Sequence, residues 1–114
     1  MDKNILIISS TSRNNLALAK NLQSICSDLN MDNELINLEE FDMPLYTPIE
    51  EEKEIPSEIK SIMKKFIDAP GFIICAPEYN GSIPPVLTNI IAWISVKEKI
   101  RLLTNFFFVG LYFK

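Results

Sequence analysis

The sequence contains no histidine, and this absence excludes several kinds of active site. Triads with a histidine base, histidine-ligated metal centres and imidazole acid–base chemistry all need this residue. The two cysteines, Cys26 and Cys75, are too far apart in sequence to form a Cys-x-x-Cys redox pair, and each lies within an apolar pattern. We therefore predict two buried free thiols, no disulfide and no metal site.

The sequence also lacks a membrane-spanning run and a basic stripe. The apolar run at residues 5–8 is far shorter than the roughly 20 residues that cross a bilayer, and it shows no signal-peptide pattern. Residues 39–58 carry a net charge of −7, and the rest of the chain carries +3 without a basic cluster for nucleic acid. We therefore expect a cytoplasmic protein that binds neither a membrane nor nucleic acid.

The length of the chain limits it to one hydrophobic core. Single domains commonly contain about 100 to 150 residues. This chain has 114 residues, of which 47% are hydrophobic and 23% are charged. That composition is typical of a folded protein rather than a disordered one. We therefore predict one domain over residues 1–114.

Three strand patterns alternate with three helical patterns along the chain. Residues 5–8 and 71–76 form continuous apolar runs, typical of strands buried in a parallel sheet, and residues 34–38 alternate weakly, as in an outer strand. The first helix contains Leu18, Leu22, Ile25 and Leu29, with Ala19 and Cys26 beside them; the second contains Ile59, Ile62, Met63, Phe66 and Ile67; the third contains Val86, Leu87, Ile90, Ile91 and Ile94. Trp93, in the third helix, is expected to pack against the sheet or a partner rather than contact a ligand.

Prolines and acidic residues mark the connection between the second strand and the second helix. Pro44, Pro48 and Pro56 predict an irregular segment, with Pro56 at the first turn of the second helix. Residues 50–54, which read Glu-Glu-Glu-Lys-Glu, are expected to form a solvated loop leading into that helix. The alternation of strands and helices predicts an α/β fold with a parallel sheet, in which ligands bind beyond the carboxyl ends of the strands.

The loop after the first strand is rich in small hydrogen-bonding side chains. It contains Ser9, Ser10, Thr11, Ser12, Arg13, Asn14 and Asn15, directly before the first helix. Such donors at a helix N-terminus suit a phosphate group, to which Arg13 either adds charge or remains in solvent. A run of this kind is also ordinary helix capping, and the residues alone leave both interpretations open.

The loop after the third strand suits a planar ligand. Pro77 fixes the backbone, and Asn80-Gly81 permits a turn in which peptide N–H and C=O groups face a ligand edge. Tyr79 offers an aromatic wall beside such a ligand. Glu78 either orients the loop by accepting hydrogen bonds or is a plain surface carboxylate, with neither role favoured by the residues.

Residues 76–93 resemble the signature stretch of the NADPH-dependent FMN reductase family. They read Ala-Pro-Glu-Tyr-Asn-Gly-Ser-Ile-Pro-Pro-Val-Leu-Thr-Asn-Ile-Ile-Ala-Trp. The resemblance extends to the first strand and its polar loop and to residues 43–46, Met-Pro-Leu-Tyr, and it fades after Val96. Ser10 stands where the family usually has glycine, and Thr88 and Ala92 replace a lysine and an aspartate.

The resemblance implies a flavodoxin-like three-layer sandwich with a parallel sheet of strand order 2-1-3-4, incomplete after about residue 96 and lacking the family's fifth strand and last helices. It implies that the first loop holds the phosphate of FMN and the second lies beside the isoalloxazine ring, with hydride passing from NADPH or NADH to flavin N5. The cofactor-binding residues it implies are Ser10, Thr11, Arg13, Asn14, Asn15, Pro77, Glu78, Tyr79, Asn80, Gly81 and Ser82. No catalytic residue is implied, because the flavin performs the redox step.

Three hypotheses about function remain open at this point. The first is an NAD(P)H-dependent reductase whose partner is a small-molecule electron acceptor such as a quinone, an azo compound or a metal oxyanion. The second is a non-catalytic flavin-binding or electron-carrier domain, and the third is an inactive remnant.

Residues 106–113 suit a fourth strand, after which no helix follows. Apolar surface that stays exposed to water on the sheet costs about 25 cal/mol per Å². We therefore expect a homo-oligomer.

Overall fold

The computed structural model describes residues 4–77 and 81–98, and for the last two of these it describes only the backbone. The elements are β1 (Ile5–Ser9), α1 (Asn14–Asp28), β2 (Asn33–Asn37), a 3₁₀ turn (Leu38–Glu40), α2 (Pro48–Glu52), α3 (Ser57–Asp68), β3 (Phe72–Cys75) and α4 (Pro85–Glu98). The predicted alternation of three strands with three long helices is confirmed. Two short helical elements are added between β2 and α3.

The three strands form one parallel sheet with β1 at its centre. β1 pairs with β2 up to Ser9 opposite Asn37, and with β3 up to Ser9 opposite Cys75. The order β2-β1-β3 confirms the first three strands of the predicted flavodoxin-like sheet. The predicted fourth strand, at residues 106–113, lies outside the described residues.

Helices cover both faces of this sheet. Successive side chains of a strand point to opposite faces, so β1 contributes to two cores. Leu6 and Ile8 belong to the larger core, which includes side chains from α3 and α4, while Ile7 belongs to a smaller core that includes side chains from α1. All three are at most 1% exposed, which explains the continuous apolar run of β1. The result is the predicted three-layer sandwich.

The face that α1 turns to the sheet matches the predicted one in part, since Leu18 and Leu22 pack against the smaller core as predicted. Ala19 and Cys26 are buried as expected, but Ile25 is 53% exposed and Leu29 is 65% exposed. The third buried residue of the helix is Asn15, which lies on the same line as Ala19 and Cys26 in a helix of 3.6 residues per turn. The prediction was wrong for Ile25 and Leu29 because it followed the bulkiest apolar residues instead of the short ones that permit close packing.

The segment predicted to be irregular between β2 and α3 contains the short helix α2. Thr47 begins it, and its side-chain oxygen accepts a hydrogen bond from the Glu50 N–H at 3.1 Å. Pro48 occupies the first turn, where its missing N–H costs nothing, and Glu50 and Glu51 lie where the helix dipole favours acidic side chains. The solvated loop predicted for residues 50–54 was therefore wrong for its first three residues, which are helical.

The long helices α3 and α4 pack largely as predicted. Ile67, at 39% exposed, is the exception in α3, whose other predicted apolar residues are buried. Cys26 and Cys75 are free and buried, which confirms the prediction of two buried thiols. Among the helices in the described part of the chain, none has the length and apolar character that crossing a membrane requires.

Candidate functional site

The carboxyl ends of all three strands meet at one edge of the sheet. Ser9 lies opposite Asn37 on one side and opposite Cys75 on the other. Three loops therefore leave the sheet side by side: residues 10–13 after β1, residues 38–47 after β2, and residues 76–84 after β3. We refer to them as the first, second and third loops. This edge is where a parallel α/β sheet binds ligands.

The first loop is held in place by short-range hydrogen bonds. The Ser10 N–H donates to the Cys75 carbonyl at 2.9 Å, which ties the loop to the end of β3. The Ser9 hydroxyl donates to the Thr11 carbonyl at 2.5 Å, and the Asn15 side-chain amide donates to Thr11 Oγ1 at 3.1 Å. Thr11 and Asn15, both predicted site residues, are thus brought into contact, and the loop is fixed before any ligand enters.

The hydroxyl of Ser10 is fully buried and forms no hydrogen bond with any residue that the structure describes. A buried hydroxyl without a partner costs about 1–3 kcal/mol, so such groups normally find one. It lies in a loop of hydrogen-bond donors at the carboxyl edge of the sheet. Ser10 was predicted as a site residue on sequence grounds.

Arg13 joins the first loop to α1 in a strained backbone conformation. Its φ of 66° and ψ of −121° are sparsely populated for a residue with a side chain. The Arg13 side chain is exposed and does not cap the helix, and no acidic residue occupies the first turn of α1. The N–H groups that begin a helix have no partner inside it, so this end of α1 favours an anion. Asn14, also a predicted site residue, is exposed at that end.

A carboxylate from the second loop reaches into the first loop. Glu39 Oε1 accepts a hydrogen bond from the Ser12 N–H at 3.0 Å, and Glu39 Oε2 accepts one from the Ser12 hydroxyl at 3.2 Å. Asn37 orients both partners, because its side-chain oxygen accepts the Glu39 N–H and its amide donates to the Ser12 hydroxyl, each at 3.2 Å. The first loop therefore donates two hydrogen bonds to the oxygens of one carboxylate, that of Glu39.

The third loop is described at its two ends. Pro77 is buried directly after β3, and Gly81 has a φ of 77°. An added Cβ at Gly81 would meet nothing within 4 Å, so backbone conformation rather than space requires glycine there, as the predicted turn implies. Ser82 is exposed. The predicted site residues Glu78, Tyr79 and Asn80 lie outside the described residues.

The second loop is fastened to α4, the helix that follows the third loop. The Asn89 side chain accepts a hydrogen bond from the Tyr46 N–H at 2.8 Å and donates one to the Pro44 carbonyl at 3.0 Å. The Trp93 indole N–H donates to the same carbonyl at 2.8 Å. Its ring packs edge-on against Tyr46, with the ring centres 5.1 Å apart. Trp93 is 1% exposed and packs, as predicted.

Two groups near the site have raised pKa values. The Tyr46 hydroxyl donates to Glu51 at 2.8 Å, and this hydrogen bond, followed by desolvation and the negative charge of Glu51, raises the pKa of Tyr46 above its usual value. Burial raises the pKa of the Cys75 thiol to about 11. Because the thiolate is the reactive form, Cys75 is not a nucleophile at neutral pH.

Sequence reasoning missed Glu39, Asn37 and Asn89 as parts of this edge. The signal for the first two was present, since Asn37 ends β2, Glu39 comes two residues later, and the predicted strand order places β2 beside β1. Asn89 lies within the stretch that resembles the family signature, but its contacts with residues 44–46 join segments more than 40 positions apart. Local patterns do not report such contacts.

The architecture defines a class of protein: a parallel α/β sandwich with polar loops at the carboxyl ends of its strands is flavodoxin-like. FerB, a flavoenzyme NAD(P)H:(acceptor) oxidoreductase from Paracoccus denitrificans, aligns over 95% of this chain and 60% of its own, with a TM-score of 0.70 and 20% identity. Azoreductase AzrA aligns over 80% of this chain and 55% of its own, with a TM-score of 0.63 and 14% identity. At such identities the likeness shows the fold.

The sequence gives the family within this class. A model of the NADPH-dependent FMN reductase family matches residues 3–108, and this chain belongs to that family. A quinone reductase of Escherichia coli strain K12 is 36% identical over 55 residues, which are 47% of this chain and 29% of that protein. A 2-hydroxy-1,4-benzoquinone reductase of a Burkholderia species is 36% identical over 53 residues, 46% of this chain and 28% of that protein. The chain thus aligns with less than a third of the length of these two relatives.

Proposed function

We propose that this chain binds FMN at the carboxyl edge of its sheet and transfers hydride from NADPH or NADH to the flavin and on to a small acceptor. A quinone, an azo compound or a metal oxyanion is the proposed class of acceptor. The observation that carries the proposal is the oxyanion-binding first loop, found next to the third loop in a member of an FMN reductase family. The names of two related quinone reductases support the quinone class.

The donor set of the first loop fits the phosphate of FMN. A phosphate needs several convergent donors, and charge-assisted bonds to its oxygens are the strongest. The loop offers the unsatisfied Ser10 hydroxyl, the Ser12 N–H and hydroxyl, and the N-terminus of α1. We propose Ser10, Thr11, Arg13, Asn14 and Asn15 as the phosphate side of the site. The carboxylate already bound to Ser12 supports this chemistry, because it too is an anion whose oxygens accept hydrogen bonds from these donors.

The third loop would form the ring side of the site. We propose that residues 77–82, which are Pro77, Glu78, Tyr79, Asn80, Gly81 and Ser82, lie along the isoalloxazine ring. The positive φ of Gly81 turns the backbone there. Because glycine has no side chain, the backbone amides of such a turn can approach the edge of the ring and form hydrogen bonds with it. The fastening of the second loop to α4 through Asn89 and Trp93 fixes the neighbouring wall. Both features favour a preformed site.

The chain's own residues bind and orient rather than react. FMN, when bound, supplies the two-electron chemistry. The described residues of this edge provide no histidine and no thiolate, and the hydrogen bond to Glu51 raises the pKa of Tyr46 further above its usual value. The protein's contribution is therefore to hold the phosphate, place the ring between the loops and keep water from it with buried residues such as Ala76 and Pro77.

Titration with FMN tests the binding half of this proposal. We expect flavin fluorescence to be quenched in a saturable way, and bound flavin to lose its visible absorbance when NADPH or NADH is added without oxygen. Unchanged fluorescence at tens of micromolar protein would refute flavin binding. Bound flavin that stays oxidised with excess NADPH and NADH would leave a flavin-binding or electron-carrier domain in place of the enzyme.

We also propose that the chain forms a homo-oligomer. Leu45 and Ile49, in the second loop and α2, are 72% and 71% exposed, and large apolar side chains exposed to water favour association. Light scattering after size exclusion measures the mass directly. A mass of one chain at micromolar concentration would contradict this proposal.

A further inference from the structure

The contact between Glu39 and Ser12 uses every proton that Ser12 can donate. Ser12 has one backbone N–H and one hydroxyl proton, and the two oxygens of Glu39 accept them at 3.0 and 3.2 Å. A phosphate entering the first loop would find these donors occupied and a negative charge beside it. Like charges a few ångströms apart near a protein surface repel each other appreciably.

We infer that Glu39 is an internal competitor for the phosphate side of the site, which the phosphate of FMN must displace. Glu39 then lowers the affinity for a phosphorylated flavin while leaving that for riboflavin, which has the same ring and no phosphate, nearly unchanged. This inference rests on the proposed function, because it assigns the competed site to FMN. It makes Glu39 a residue that sets flavin selectivity.

The position of Glu39 allows its side chain to be displaced by a ligand. Its residue is exposed and lies in a single 3₁₀ turn, so the side chain can move into solvent without disturbing the core. The bonds that it releases are replaced by bonds to a phosphate, which carries more charge and one more oxygen. Ser10 is a further donor that Glu39 does not use, because its hydroxyl has no partner among the described residues; that hydroxyl is fully buried, so a phosphate reaches it only after the side chains that cover it have moved. The loop is therefore better matched to phosphate than to its present occupant.

Two substitutions at Glu39 and one matched control test the inference. Glu39→Gln keeps the shape of the side chain and removes its charge, whereas Glu39→Ala empties the contact. Glu40→Gln removes the same charge from the next residue, which is exposed and whose side chain makes no hydrogen bond or ion pair with the described residues. Circular dichroism before titration checks that each variant is folded. FMN and riboflavin are then titrated against each chain by quenching of flavin fluorescence.

We expect Glu39→Gln and Glu39→Ala to bind FMN about tenfold more tightly than the unmodified chain, the change expected from removing one nearby like charge. Riboflavin affinity should change by less than about twofold, and Glu40→Gln should resemble the unmodified chain with both flavins. Unchanged or weaker FMN binding in the Glu39 variants overturns the inference. An equal gain for riboflavin also overturns it, because the effect would then not concern the phosphate.

A titration with inorganic phosphate separates this inference from the proposed function. The amide resonance of Ser12 should shift in a saturable way at lower phosphate concentration in Glu39→Gln than in the unmodified chain, with sodium chloride of matched ionic strength as the control. If neither flavin binds any chain, the proposed function fails, and this titration alone decides the inference. An equal response of Ser12 in both chains refutes it even where FMN binds.

Discussion

Replacing Asn89 with alanine should detach the second loop from α4. The Asn89 side chain accepts the Tyr46 N–H at 2.8 Å and donates to the Pro44 carbonyl at 3.0 Å. Each such bond contributes about 1 kcal/mol, and a half-buried N–H left without its partner adds about 1 kcal/mol more. We therefore expect Asn89→Ala to lower the free energy of unfolding by about 2–3 kcal/mol.

The Pro44 carbonyl allows the reasoning to be tested more sharply. It accepts from both Asn89 and the Trp93 indole, so removing one donor leaves it satisfied by the other. Trp93→Phe keeps an aromatic ring and removes the N–H, and we expect it to cost about 1–2 kcal/mol from the lost bond and the smaller ring. The double variant, which combines Asn89→Ala with Trp93→Phe, leaves the carbonyl without either side-chain donor. Its loss in the free energy of unfolding should therefore exceed the sum of the two single losses by about 1 kcal/mol.

Urea unfolding followed by circular dichroism measures these free energies without relying on the single tryptophan. Thr88→Ala, at an exposed position of the same helix, is the control. It removes a hydroxyl that donates to the Pro84 carbonyl, which still accepts the N–H groups of residues 87 and 88, so the free energy of unfolding should stay within about 0.5 kcal/mol of that of the unmodified chain. A cost below about 0.5 kcal/mol for Asn89→Ala would show that the second loop is not held by this side chain. Additive single costs would show that the two donors do not share one acceptor.

Three further substitutions probe the first loop, the sheet and α2. Arg13→Gly should raise the free energy of unfolding by roughly 1 kcal/mol in urea, because glycine relieves the strain at φ 66°; a loss instead would mean that the arginine side chain contributes contacts. The raised pKa of Cys75 contributes stability that is present below about pH 9 and is lost as the pH rises to about 11. The free energy of unfolding of Cys75→Ala should therefore fall less over this pH range than that of the unmodified chain, by up to about 2–3 kcal/mol. Parallel curves for the two chains would refute this. Thr47→Ala should cost about 1 kcal/mol by removing the cap of α2 while Thr47→Ser should not, and equal losses would contradict capping.

The sequence was sufficient to predict the strands of the sheet and their order because β1 and β3 are buried on both faces. A strand of that kind reads as a continuous apolar run, as residues 5–8 and 72–75 do, and alternation with helices then leaves few topologies. The face of α1 was not predictable in the same way. Which side of that helix meets the sheet depends on how closely Ala19 and Cys26 allow it to approach, and side-chain size misleads there.

In the candidate site, too, some residues could be predicted from local patterns and others could not. The first-loop residues were predictable because small donors before a helix are a local pattern, and Gly81 was predictable because a turn needs its positive φ. The Glu39 contact joins positions 27 residues apart and depends on the rise of one 3₁₀ turn after β2. An acidic side chain there has many possible directions in solvent, and the geometry that selects one is set by the neighbouring strand.

The central position of β1 has a consequence for synthesis of the chain on the ribosome. Ser9 pairs with Cys75, which is made 66 residues later. At about 5–20 residues per second, roughly 3–13 s pass before the second partner of β1 exists. Until then Leu6, Ile7 and Ile8 lack their pairing on the β3 side, and an apolar strand with an unpaired edge is the kind of segment that aggregates or binds chaperones. The central strand of the finished sheet, β1, is thus made first and obtains its second partner strand last.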